Sequence, residues 1–68
     1  MSNIELLYEY LLKRYIFLKE QLEKSTDIYQ LREIYIRLNE IEPLLIASQK
    51  AFIQELKFRC ESLNAIKN

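Results

Sequence analysis

The apolar residues between Asp27 and Ile66 constrain this chain more than any other feature. Leu31, Ile34, Leu38, Ile41, Leu45, Phe52, Leu56, Leu63 and Ile66 follow one another mostly at steps of three and four, with Ser48 and Arg59 filling two missing steps. At about 100° per residue such positions share one side of an α-helix. The stripe keeps its phase on both sides of Pro43, where a chain reversal would have reset it. The spacing therefore predicts one long helix over about 28–66, bent at Pro43 because proline removes a backbone donor and crowds the carbonyl of Asn39. The competing reading ends a helix near Asn39 and starts a third one at Pro43, giving a three-helix bundle.

Upstream, Ile4, Tyr8, Leu11, Tyr15, Leu18 and Leu22 step by 4, 3, 4, 3, 4. This is a heptad seam, widened by Leu7, and it predicts a first helix over about 3–24. Ser2-Asn3-Ile4-Glu5 reads as a capping box at its start. Between the two periodic stretches lie Ser25, Thr26 and Asp27, residues whose side-chain oxygens cap helix N-termini. Asp27 and Gln30 repeat the capping spacing. A connection of about three residues between amphipathic helices gives an antiparallel hairpin. The chain contains no glycine, so this turn must form without the usual left-handed helix cap. The expected architecture is all-α: a single small domain, residues 1–68, with helices at 3–24 and 28–66 and a turn at 25–27. Glu9–Lys13, Glu20–Lys24, Glu33–Arg37 and Glu55–Arg59 are i,i+4 pairs expected to support the outer faces.

Composition then narrows function. A chain of 68 residues buries only about 60% of its unfolded surface when it folds alone, and small scaffolds of this kind lean on a disulfide, a metal or a partner. One cysteine allows no internal disulfide, and the lack of histidine leaves no set of zinc ligands. Half of the residues are nonetheless apolar or aromatic. Association is the expected solution, with copies of itself or with another protein. Ten basic and ten acidic side chains are interspersed, which argues against nucleic acid, whose recognition needs a concentrated positive field. No apolar run approaches a membrane span of about 18 residues, and no basic-then-apolar leader opens the chain. The lone thiol suits a reducing compartment. The expectation is a soluble cytoplasmic protein.

No catalytic constellation emerges. Without histidine there is no Ser-His or Cys-His pair, and without glycine no phosphate-cradling loop. Glu20 with Glu23, and Glu40 with Glu42, read as solvated charges. Cys60, at the edge of the apolar stripe, reads as a small packing residue. The expectation is no enzyme, no cofactor, no metal and no small-molecule substrate.

Two stripes are candidates for binding a partner. Leu6, Tyr10 and Phe17 form a second apolar line on the first helix, away from the seam. On the second helix, lengths decide: about 22 residues span roughly 33 Å and about 39 span roughly 58 Å. The first helix cannot cover the second, which leaves Phe52, Ile53, Leu56, Cys60 and Leu63 as an expected free apolar end.

Asp27-Ile28-Tyr29-Gln30, followed by an apolar-patterned helix with Glu40 about three turns on, is similar to the small co-chaperones of the type III secretion needle subunit. Those proteins are helical hairpins with a Tyr-Gln pair just after the turn. Pro43 and the aromatic-rich C-terminal extension depart from that pattern. The resemblance implies pairing with a tetratricopeptide-like chaperone that keeps the needle subunit unpolymerised in the cytosol. The other readings are a homodimeric four-helix bundle, as in small RNA-binding or regulatory adaptors, and an inhibitor of the phage or plasmid type.

Overall fold

The computed structural model describes the backbone of residues 2–67 and the side-chain environment of residues 2–64. Ile66, the last member of the predicted stripe, thus lies outside the described side chains. Two helices make up the fold, α1 at Asn3–Lys24 and α2 at Ile28–Lys67, and they form an antiparallel hairpin 59 Å long and about 17 Å across.

The sequence sets each end of α1. Ser2 is its N-cap, in an extended conformation, and its hydroxyl accepts from the Glu5 N–H at 3.1 Å. Among the described residues the return bond of a full capping box, from the Ser2 N–H to the Glu5 carboxylate, does not form. At the other end the Ser25 N–H donates to the Gln21 carbonyl at 3.0 Å. The chain leaves the helix with Ser25 extended, and no described residue has positive φ. That is how a turn without glycine is made here. Asp27 opens α2: its carboxylate accepts from the Tyr29 N–H at 3.0 Å and its carbonyl from the Leu31 N–H at 3.0 Å. Gln30 does not reach back to Asp27; its side-chain oxygen accepts from the Ser25 hydroxyl at 3.1 Å. The turn is pinned by a bond across it where the spacing predicted a second capping box.

α2 continues through Pro43, so the three-helix alternative does not hold. Forty helical residues measure about 60 Å, close to the 59 Å length of the hairpin, so the rod does not fold back at Pro43. Pro43 and Asn39 are both exposed. The Asn39 carbonyl that loses its partner thus sits on the solvent side of the helix, where hydration lowers the cost of the missing hydrogen bond. Pro43 is exposed on the outer side of α2, the side that is convex where long helices curve around what they pack on.

The interface between the helices is the pair of predicted seams. Leu11, Leu18 and Leu38 are the buried apolar residues, Leu18 at only 2% exposure. Tyr8, Tyr15, Leu22, Leu31, Ile34, Ile41 and Leu45 flank them, half-buried. Repeats of seven residues on both helices give the shallow crossing of coiled-coil packing. Ser48 occupies a seam position at 6% exposure. Its hydroxyl donates to the Leu45 carbonyl one turn back at 2.9 Å, so the polar group is satisfied inside its own helix.

Of the four predicted i,i+4 ion pairs, only Glu55–Arg59 forms among the described residues, at 2.8 Å. Two other cations lie over rings: Lys19 on Tyr15 at 5.2 Å and Arg14 on Phe17 at 5.7 Å. Exposed acid–base pairs contribute little, and a ring face is a competitive alternative for a long cationic side chain.

Candidate protein-binding surfaces

The first helix ends against Glu55. The Ser2 hydroxyl donates to the Glu55 carboxylate at 2.9 Å, while Arg59 donates to the other carboxylate oxygen at 2.8 Å. Glu55 thus holds the start of α1 with one oxygen and begins the uncovered part of α2 with the other. Beyond it the seam that α1 reads turns polar, with Arg59 and Ser62 at the next two positions. From residue 56 to residue 64 every described residue is exposed, a length of about 14 Å. Within it Leu56 is 42% and Leu63 58% exposed, and Phe58 and Cys60 are exposed. Phe58, Arg59, Ser62 and Leu63 border a shallow apolar depression of about 320 Å³.

Phe52 differs from the expectation. It was expected on the free end, but α1 is long enough to reach it: its ring stacks on Tyr8 with centroids 5.6 Å apart and an interplanar angle of 23°. Phe52 is therefore half-buried in the hairpin. Ile53, one residue further around the helix, is exposed, as are Leu56, Cys60 and Leu63.

The first-helix stripe is exposed along its length, with Leu6, Tyr10 and Phe17 all open to solvent. The two sets do not come together. Phe17 borders a groove with Arg14, Gln30 and Arg37. Further along the same flank lies an apolar groove of about 330 Å³ between Leu7 and Leu11 of α1 and Leu44, Ala47 and Ala51 of α2. Ile53 stands two residues after Ala51, about 200° around the helix, and so on the opposite flank. The hairpin presents two separate apolar faces.

Sequence reasoning missed the groove at Ala47 and Ala51, and it missed the exposed Leu44, Ile46 and Phe58. Ile46 was within reach of the pattern, because it precedes Ile53 by one heptad. The groove was not, because small residues carry no periodic apolar signal.

No protein-family model, curated protein or solved structure matches this chain. Among the described residues no helix is long and apolar enough to cross a membrane, and no three His, Cys, Asp or Glu side chains are grouped as a metal site would require.

Proposed function

We propose that this hairpin is a non-enzymatic protein-binding module, and specifically a cytoplasmic co-chaperone. In this reading it stabilises a tetratricopeptide-like chaperone and helps to keep a type III secretion needle subunit from polymerising. The observation that carries the binding role is the uncovered end of α2, where Leu56 and Leu63 are exposed beyond the hydrogen bond from Ser2 to Glu55. Burying such a side chain is worth about 1.5–3 kcal/mol, and this chain cannot bury them itself. An amphipathic helix set into a hydrophobic groove is a recurring recognition mode. The specific assignment rests on the resemblance at Asp27-Ile28-Tyr29-Gln30. Tyr29, at 78% exposure, stands clear of the hairpin and is free to contact a partner.

The test is co-expression with a tetratricopeptide-type chaperone and the needle subunit of the same source, followed by size-exclusion chromatography with light scattering. A single complex containing the hairpin is expected. Leu63→Asp should release the hairpin while circular dichroism shows its helix content unchanged. A hairpin that elutes apart from the chaperone under all conditions overturns the co-chaperone assignment.

A further inference from the structure

α2 carries a second seam beside the one that α1 covers. Ile46, Gln49, Ile53, Leu56, Cys60 and Leu63 step by 3, 4, 3, 4, 3, and all six are exposed. Up to Leu56, each of the first four follows a covered-seam residue, Leu45, Ser48, Phe52 or Glu55, by one position. The new seam therefore lies about 100° around the helix from α1. That is close to the right angle at which a helix of a four-helix bundle meets its two neighbours. The seam is about 26 Å long, and it runs through both the covered and the uncovered parts of α2 without a break.

Its order is close to a palindrome. Read in either direction it runs large apolar, small or polar, large apolar, large apolar, small or polar, large apolar. An antiparallel copy centred between Ile53 and Leu56 places Ile46 opposite Leu63, Gln49 opposite Cys60 and Ile53 opposite Leu56, and the two-fold axis repeats each pair. These are the alternating layers of an antiparallel coiled coil, and such a contact is isologous and closed. Lys50 and Lys57 stay on the outer rim. In this register residues 56–64 of each copy lie beside residues 45–53 of the other, so both free ends are covered at once.

The chain as a whole exposes more surface than a compact fold of its mass. A compact monomer of 8.3 kDa exposes about 4,600 Å² by the scaling of folded proteins, whereas this chain exposes 5809 Å². The excess, about 1,200 Å², exceeds the roughly 800 Å² that each partner contributes to a standard stable interface.

We propose that a second copy of this chain occupies the seam from Ile46 to Leu63, antiparallel and two-fold symmetric. This deepens the protein-binding reading, because it uses part of the same surface: the self-paired form hides the free end of α2, and a chaperone engaging that end must displace the second copy.

The proposal fixes a register, and Cys60 makes it testable. Gln49→Cys places a second thiol opposite the native Cys60 of the other copy, whereas within one chain the two positions are 11 residues apart on a rigid helix and too distant to bridge. The isolated full chain is expected to have twice its 8.3 kDa mass by light scattering. Oxidised Gln49→Cys should run as a covalent dimer on a non-reducing gel, while the parent chain and the Gln49→Cys/Cys60→Ser variant stay uncrosslinked. Leu56→Asp should halve the mass with helix content retained. A monomer at 100 μM overturns the proposal. So does a dimer that the parent chain crosslinks through Cys60 alone, or one that Leu56→Asp leaves intact and Tyr10→Asp dissociates. If the chain is monomeric yet binds the chaperone, self-pairing fails and the co-chaperone reading stands; if it is dimeric and binds no chaperone, the reverse holds.

Discussion

The two parts of α2 on either side of Glu55 are chemically alike and physically opposite. Before Glu55, Leu38 and Ser48 are buried and Leu31, Ile34, Ile41, Leu45 and Phe52 are half-buried against α1. After it, Leu56, Phe58 and Leu63 keep the apolar content while every described residue is exposed. The helix does not change at the boundary. Hydrogen bonds within a helix cost the chain no partner, so the rod continues, but short helices in water owe most of their stability to tertiary packing. The difference teaches that helical structure and burial are separate accomplishments in this chain. The first is complete to Lys67, and among the described side chains the second stops at residue 55.

Substitutions can break that comparison. The largest effect is expected at Leu18→Ala, in the tightest part of the covered half. Losing a buried leucine costs about 2–5 kcal/mol, and a domain of this size has little more than that to lose. Thermal unfolding followed by circular dichroism should show most of the cooperative transition gone; a variant melting within a few degrees of the parent would mean that α1 contributes little to holding α2. A sharper contrast comes from two phenylalanines six residues apart. Phe52→Ala removes the stack on Tyr8 and should cost about 2 kcal/mol, less than a fully buried ring because the site is half-open. Phe58→Ala, beyond the boundary, should stay within about 0.5 kcal/mol. Urea titration of the pair measures the difference, and equal losses would erase the boundary. The smallest effect is expected at Arg59→Ala. Its bond to Glu55 is an exposed i,i+4 pair worth about 0.3–0.5 kcal/mol, and the loss should shrink further in 1 M salt.

Much of this fold was legible in the sequence because it rests on periodicity. The seams Ile4–Leu22 and Leu31–Phe52 gave the two helices, and the unbroken phase across Pro43 told a continuing helix from a turn. What the pattern could not resolve was reach at the scale of one turn. Phe52 was placed on the free end because helix lengths alone cannot say how far α1 extends along α2; that depends on how tightly Ser25, Asp27 and Gln30 fold the turn. The ion pairs Glu9–Lys13, Glu20–Lys24 and Glu33–Arg37 were overvalued for a different reason. Spacing allows them, but water competes for the same flexible, exposed side chains. The candidate surface was readable as exposed apolar residues, and its division into two opposite flanks was not, since that depends on where the partner helix lies.

The bond between Ser2 and Glu55 spans 53 residues of chain. A coiled-coil seam repeats every seven residues, so on apolar contacts alone α1 could slide one heptad along α2 and match nearly as well. The three-residue turn resists that slip at one end and the shared carboxylate at the other. Together they act as a ruler, which makes the length of helix left over a quantity written in residue count rather than a matter of thermal chance. A longer turn would spoil the measurement without touching a single residue of the protruding end.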